Sequence, residues 1–416
     1  MDTTQAHAVV QSVDGQSSGK LRLIERLFAR MLRGLKDGSL RINFPGGASV
    51  VVGDCSHSLL ELSIVDSRFF KKVMAGGSIG FGEAYVDGLW TAPDLTALLS
   101  LLAKNQKDIG RLRKGFSLLT QKLNALYHRA RRNTVEKSKE NIQEHYDLSN
   151  AFYETFLDPT MTYSSAYFKS SEETLEEAQW NKIDRMLDLA GVKAGDHILE
   201  IGSGWGALAQ RAAERGCTVK TITLSEEQYA YAKDRFLKAG LTDQIEIELR
   251  DYRHLHGQFD AVLSCEMIEA VGREYLESYF QVVRDSLKPG AKAVLQSITI
   301  PDERYEAYSR GCDWIQKHIF PGGHLPSPGA LKANVCKTGQ MQIQRMDSFG
   351  HDYAETLKRW AHAFNSAQAR VNELGFDAKF CRKWNYYLSY CEAGFMNDLI
   401  DVQHVVIERG VVSSEK

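Results

Sequence analysis

Ile198-Leu199-Glu200-Ile201-Gly202-Ser203-Gly204-Trp205-Gly206 is the stretch that decides the fold. Its first four residues read as a buried strand. The strand runs straight into Gly-x-Gly-x-Gly, and a helical pattern follows from Ala207 to Arg215. Glycines let the backbone turn sharply and bring a ligand against the main chain, at the carboxyl edge where doubly wound sheets bind ligands. Outward from this turn the chain alternates. Strands are predicted at His197 to Gly202, Val219 to Leu224, Ile245 to Leu249, Phe259 to Cys265 and Ala291 to Ile300. Helices are predicted near Leu175 to Ala190, Ala207 to Arg215, Glu226 to Ala239 and Glu274 to Leu287, and Lys288-Pro289-Gly290 stops the last helix before the last strand. Repeating βα units imply an α/β fold with a mostly parallel, doubly wound, Rossmann-like sheet and right-handed crossovers.

The spacing alone leaves the ligand of the turn open. A dinucleotide site expects G-x-G-x-x-G; here the third glycine comes one residue early, and Ala207 stands where that pattern takes Gly or Ala. The acidic ribose ligand expected about 20 residues later would be Glu226 or Glu227, but these follow Thr223-Leu224-Ser225 and read as first-turn helix residues under a Ser225 cap. Glu200 followed by Gly202, Gly204 and Gly206 looks like the first motif of class I S-adenosylmethionine-dependent methyltransferases. In that scheme the acid and the glycine turn hold the methionine part of the cofactor, and Asp251-Tyr252 lie beside its adenine.

At 416 residues the chain is long enough for two or three domains. With 43% hydrophobic and 25% charged residues it is neither disordered nor fibrous. A formal charge of -2 argues against a nucleic-acid binder working by bulk charge. Seven scattered cysteines without a C-x-x-C pair point to a reducing compartment and to neither a disulfide framework nor a zinc site. The polar first twenty residues, and the lack of any uncharged apolar stretch of about 18 residues, lead to the expectation of a cytoplasmic protein.

The near-zero charge hides an asymmetry: from Lys104 to Lys139 there are eleven basic residues against two acidic ones, a balance of +9, interleaved with Leu112, Phe116, Leu119, Leu123 and Leu126. Anionic lipid, nucleic acid or water could face such a basic amphipathic linker, and lipid is favoured because nothing else resembles a nucleic-acid motif. The expected organisation is therefore an α+β N-terminal domain over 1–103, a basic helical linker over 104–140 and a methyltransferase domain over 141–416. Within the first, Leu21 to Leu35 is an amphipathic helix facing either a core or a membrane surface. Short strands at Leu40 to Phe44, Ser49 to Val52 and Leu60 to Ile64 precede a Gly-rich stretch from Gly76 to Gly88.

Several ordered segments carry a more specific resemblance: Asn141 to Asn150, Met161 to Phe168, Glu200 to Gly206, Thr223-Leu224-Ser225 with Gln228, Met267-Ile268-Glu269-Ala270-Val271-Gly272, and Phe320-Pro321-Gly322-Gly323-His324-Leu325-Pro326. In order and spacing they resemble the cyclopropane-fatty-acyl-phospholipid synthase family, over about residues 140 to 400 and more loosely through Gly82 to Gly88. The resemblance implies methyl transfer from S-adenosylmethionine to the cis double bond of a phospholipid acyl chain, then proton loss to a bound bicarbonate and closure of a cyclopropane ring. It further implies a homodimer, and with the basic linker it leads to the expectation of a protein working peripherally at the anionic inner face of the membrane.

Carried over residue by residue, Tyr163, Ser164, Gly202, Gly204, Thr223, Leu224, Gln228, Asp251 and Tyr252 match cofactor contacts. Glu269, Tyr353 and the main chain of Ser165 and Ile298 match the bicarbonate site. Two side chains depart: Ser165 stands for a common Cys and Gln296 for a common His. Gln donates hydrogen bonds but neither charges nor shuttles a proton, so a product stopped at a methyl or methylene branch is the alternative chemistry. Plainer roles are open too: Glu269 as a turn cap, Tyr353 as a core tyrosine, Gln296 as an edge residue.

Fifteen aromatics between Pro301 and Phe395 suit a helical cap with a pocket for a long apolar chain. A small-molecule methyltransferase and a binding protein without catalysis are the competing functions. The extra N-terminal domain and basic linker weigh against the first of these.

Overall fold

The computed structural model describes residues 20–54, 59–106 and 148–411. Most of the basic linker, Lys107 to Lys139, and the run Asn141 to Asp147 thus lie outside the described residues. The chain divides into two compact units, Met1–Ala125 with Gly375–Asn397, and Leu126–Leu374 with Asp398–Lys416.

The first unit holds a sheet of β1 (Ser39–Asn43), β2 (Ser49–Gly53), β3 (Leu59–Ile64) and β4 (Trp90–Thr91), in the order β2-β1-β3-β4. The three longer strands fall within a residue or two of their predicted places. The N-terminal helix, Leu23–Met31, sends Phe28 into the core, joined by Leu32 and Leu35 beyond its end, but leaves Leu23 and Leu27 exposed beside Arg22, Arg26 and Arg30. The predicted apolar stripe is therefore only partly covered.

The Gly-rich stretch forms the second half of a helix, Arg68–Val86, broken at Gly77. Gly77 adopts φ 61°, which a β-carbon disfavours, and at Gly80 a β-carbon would stand 2.1 Å from the Lys72 carbonyl oxygen. The glycines thus serve a kinked helix rather than end one.

The helix Ala378–Met396 also belongs to this unit, which corrects the expected continuous domain over 141–416. Its side chains explain the placement: Arg382 Nε donates to the Val86 carbonyl at 2.9 Å, Glu392 accepts from Thr96 Oγ1 at 3.0 Å, and Tyr386 packs on Tyr85. The aromatic-rich segment is accordingly divided, with Phe376, Phe380, Trp384, Tyr386, Tyr387, Tyr390 and Phe395 in the first unit and the other eight in the second.

The second unit is built on seven strands: β5 (His197–Ile201), β6 (Thr218–Thr223), β7 (Ile245–Leu249), β8 (Phe259–Cys265), β9 (Leu287–Thr299), β10 (Met341–Ser348) and β11 (Asp401–Arg409). They lie in the order β10-β11-β9-β8-β5-β6-β7. From β9 to β7 every neighbouring pair is parallel, as predicted, while β11 runs antiparallel to both β9 and β10. The Ala291 to Ile300 strand is therefore neither last nor at the edge. It starts at Leu287, and the register between Phe259↔Leu287 and Ala261↔Lys292 slips, so Lys288-Pro289-Gly290 forms an irregularity inside it.

Both faces of the sheet are covered. Leu199 and Ile201 pack with Val262, Phe280 and Leu295 in one cluster, Ile198 with Ala209, Phe236 and Val294 in the other. Burial on both faces is what a near-continuous apolar strand such as Ile198 to Ile201 encodes.

Candidate active site

The cleft lies at the carboxyl ends of the central strands. Of the eleven residues predicted to contact a cofactor, all but Gly206 and Asp251 line it: Tyr163, Ser164, Glu200, Gly202, Gly204, Thr223, Leu224, Gln228 and Tyr252. The glycine turn has φ 95° at Gly202, 49° at Gly204 and 92° at Gly206, each in the left-handed region that glycine alone enters freely. Gly204 looks into open space, while Gly206 sits under the Phe236 ring and caps the helix Ala207–Glu214. Asp251 is held by its neighbour: Arg253 donates to it from its backbone N at 2.9 Å, from Nε at 2.8 Å and from Nη2 at 2.6 Å.

Arg235 brings the 161–164 segment to the turn. It donates to the carbonyls of Pro159, Thr160 and Trp205, and so ties the chain before Met161 to the glycine loop. Trp205 Nε1 in turn donates to Asn150 Oδ1 at 2.7 Å. On the far side, Thr223 Oγ1 donates to Gln228 Oε1 at 3.0 Å, and Ser225 caps the helix Glu226–Lys238 as expected. That cap places Glu226 and Glu227 in a first helical turn, which removes the ribose ligand a nicotinamide site would need.

Glu200 is buried at the end of β5 and accepts from Thr221 Oγ1 at 2.5 Å. Burial pushes its pKa up to about 8, against the Thr221 hydroxyl and the Lys182 charge. Lys182 escaped notice in the sequence. It is buried in the cleft wall and donates to Ser164 Oγ at 2.7 Å and Cys265 Sγ at 3.5 Å. The signal was present: Gln179, Lys182, Ile183 and Met186 share the buried face of the helix Leu175–Ala190, and a lysine on such a face calls for a partner.

Three of the five residues carried over for bicarbonate, Ser165, Gln296 and Tyr353, gather around a side chain that was missed, while the other two, Glu269 and Ile298, bond to each other. Glu266 Oε1 accepts from Ser165 N at 2.9 Å and Gln296 Nε2 at 2.7 Å, and Glu266 Oε2 accepts from Tyr353 OH at 2.7 Å. Ile298 N donates to Glu269 Oε1 at 2.5 Å, and Ser297 Oγ to the same oxygen at 3.2 Å. Glu266 is not glycine yet has φ 50°, a strained conformation that the surrounding structure must hold in place. Burial raises its pKa, while Gln296, the Ser165 amide, Lys182 and Tyr353 pull the other way. Glu269 is pushed up to about 8, first by burial and then by the Glu266 charge.

Gln296 is neither edge residue nor spectator. Its Nε2 is spent on Glu266 and the Ser165 carbonyl, so its Oε1 accepts from His404 Nε2 at 2.9 Å. His404 thereby carries its proton on Nε2, and Nδ1 accepts from Arg185 Nη1 at 3.3 Å. Burial, then Arg185 and Lys182, hold this imidazole neutral. The histidine stands opposite Gln296 on β11, the strand the sequence did not reveal.

A doubly wound sheet with its seventh strand antiparallel, a glycine turn at its carboxyl edge and a buried acid at the end of β5 defines an S-adenosylmethionine-dependent methyltransferase. Within that class the chain belongs to the mycolic acid cyclopropane synthetase family, whose model matches residues 133–405. It is 41% identical to a tuberculostearic acid methyltransferase of Mycobacterium tuberculosis over 383 residues, 89% of this chain and 88% of that one. It is 33% identical to the cyclopropane-fatty-acyl-phospholipid synthase of Escherichia coli strain K12 over 356 residues, 84% and 88% of the two chains. A solved mycolic acid cyclopropane synthase, complexed with SAH and CTAB, superposes with a TM-score of 0.62 at 30% identity, covering 65% of this chain and 98% of that one.

The residues present fit S-adenosylmethionine: a buried carboxyl and an open turn at Gly204 offer a cationic ligand both charge and main-chain contact. They do not fit bicarbonate. Its expected donors Ser165 N, Gln296 and Tyr353 are engaged by Glu266, and Ile298 N by Glu269.

Proposed function

We propose that the protein adds one carbon from S-adenosylmethionine to the cis double bond of an unsaturated acyl chain on a membrane phospholipid. When bound, the cofactor supplies an electrophilic methyl group. The observation that carries the acyl reading is the carboxylate cluster of Glu266 and Glu269 against the cofactor cleft, together with likeness to acyl-chain enzymes along most of the chain. An alkene is a weak nucleophile, so the protein must align it with the methyl group and keep water from the cation that forms. Tyr163 lines the cleft, and Trp360 and Phe156 pack behind its ring with centroids 5.3 and 6.2 Å away, a dry aromatic backing to that wall.

Ring and branch are both possible products of the same addition. The branch is favoured by Gln296 in place of the family's usual His and by the name of the 41% identical relative. Expression in a bacterium lacking cyclopropane lipids, followed by mass analysis of its phospholipid acyl chains, is expected to show a gain of one CH2. A product that takes up hydrogen over a mild catalyst is the branched alkene; one that resists is the ring. Unchanged acyl chains would overturn the acyl reading.

We place this activity peripherally at the anionic inner face of the membrane. No helix among the described residues is long and apolar enough to cross a membrane. Support comes from the +9 linker and from exposed Leu23 and Leu27 among arginines. Leu23→Asp with Leu27→Asp is expected to weaken binding to phosphatidylglycerol vesicles, read by sedimentation, by about thirtyfold or more, since each exposed leucine buried in lipid contributes about 1 kcal/mol or more and each 1.4 kcal/mol is about tenfold. Wild-type binding that ignores both salt and anionic lipid content would refute the placement.

A further inference from the structure

The cradle that the family resemblance assigns to bicarbonate is filled by the protein itself. We propose that the Glu266 carboxylate is the built-in proton acceptor of the acyl reaction, so that turnover requires no bicarbonate; this rests on the acyl reading above.

Three donors converge on this one carboxylate: Ser165 N and Gln296 Nε2 on Oε1, Tyr353 OH on Oε2. A bound bicarbonate would present the same planar pair of oxygens to the same donors. Glu266 also lines the cofactor cleft, which Glu269 does not. It therefore reaches the space where a transferred methyl would lie. Its left-handed backbone is a conformation that a glutamate has no local reason to adopt, and that three hydrogen bonds to its side chain can hold. Behind it, the Gln296 amide is fixed by His404 and Arg185, so its NH2 can only face Glu266 and the Ser165 carbonyl. The usual His at this position would compete for the proton; a glutamine leaves the carboxylate as the base.

The step balances without any other reactant. The alkene π pair bonds to the methyl carbon as the S–CH3 bond of the sulfonium breaks and its pair stays on sulfur, which leaves S-adenosylhomocysteine and a cation on the neighbouring acyl carbon. Glu266 takes a proton from that methyl group, and the freed C–H pair closes a ring onto the cationic carbon. If a hydride has first shifted from the methylated carbon to its cationic neighbour, the same pair forms a C=CH2 methylene branch on the open chain instead. The proton stays on Glu266 until water removes it after product leaves.

The test uses the full-length protein with phospholipid vesicles and S-adenosylmethionine, in buffer stripped of carbon dioxide and in the same buffer with bicarbonate restored. Wild-type turnover is expected to be equal in both. Glu266→Gln keeps the shape and should lose at least about a hundredfold in turnover, with cofactor affinity unchanged. Glu266→Gly relieves the backbone and empties the cradle; it should bind ¹³C-labelled bicarbonate, read by saturation-transfer NMR with S-adenosylhomocysteine present, where wild type does not. Its turnover should return with bicarbonate or formate. Wild-type protein that binds bicarbonate, or that slows when it is stripped away, would overturn the proposal. Failure of the acyl reading shows separately, as wild-type protein inert in both buffers.

Discussion

Glu200→Gln is expected to weaken S-adenosylmethionine binding by roughly ten- to a hundredfold, read by titration calorimetry. The carboxyl is buried, spends one oxygen on Thr221 Oγ1 at 2.5 Å, and lines the cleft where the cofactor's cationic amino-acid end belongs. A hydrogen bond to a charged group contributes about 1.5–3 kcal/mol, and each 1.4 kcal/mol is about tenfold in affinity. The same burial sets a pH dependence. With a pKa of about 8 the free protein holds Glu200 protonated at neutral pH, whereas a cationic ligand favours the anion. Binding should therefore release a proton near neutrality, and affinity should climb as the pH approaches about 8 and level off above it.

For the unliganded fold the sign is opposite. A carboxyl whose pKa rises on folding favours the folded state fully below the unfolded value near 4.5, and that contribution is lost as the pH rises through about 8. The unliganded wild type should thus melt at lower temperature at alkaline pH, and the Gln variant should lose part of that slope. Calorimetry in buffers of different ionisation enthalpy measures the proton directly. A variant that binds as wild type does, with the same proton release, would remove Glu200 from the site.

The parallel half of the sheet was legible because its central strands are apolar on both faces, its outer strand Ile245–Leu249 alternates with period two, and helices with their own periodicity separate most of them. The two strands that escaped lack those signals. Met341–Ser348 buries only its first residue, and Asp401–Arg409 follows a helix that belongs to the other unit. Missing β11 meant missing His404, and with it the reason Gln296 holds one orientation.

The cofactor loop was legible from spacing, since glycines in a turn are tied to local backbone geometry. Glu266 was not, because its three donors come from residues 165, 296 and 353, which only the folded sheet brings together. The resemblance points to Ser165, Gln296 and Tyr353 as donors to a ligand from outside the chain, whereas in the fold they donate to Glu266. An acid beside a strand end calls for a partner that neutralises it, and Glu266, three residues before Glu269, carries that signal.

Gly206→Val and Gly204→Ala should separate what the glycine turn does for the fold from what it does for the ligand. At Gly206, with φ 92°, a β-carbon would meet the Phe236 ring at 2.8 and 2.9 Å and the Ala232 methyl at 3.1 Å. The backbone conformation costs a β-carbon about 1–2 kcal/mol, and forcing atoms into a packed site costs typically about 1–3 kcal/mol. Phe236 is a buried ring in the core cluster that holds Ile198, so it has little room to withdraw. Gly206→Val is therefore expected to destabilise the fold by about 2–5 kcal/mol, visible as a lower denaturant midpoint whether or not cofactor is present.

At Gly204, with φ 49°, a β-carbon would bear the same left-handed backbone cost of about 1–2 kcal/mol but would meet no protein atom within 4 Å. The space it would enter is the cleft itself. Gly204→Ala should lower the midpoint only by that backbone cost and lower cofactor affinity about tenfold or more. Equal losses of stability in both variants, with cofactor affinity kept in the Gly204 variant, would mean that the turn is a structural device alone; a loss of affinity in the Gly204 variant, with the larger stability loss at Gly206, is the outcome that a ligand-facing Gly204 and a core-facing Gly206 require.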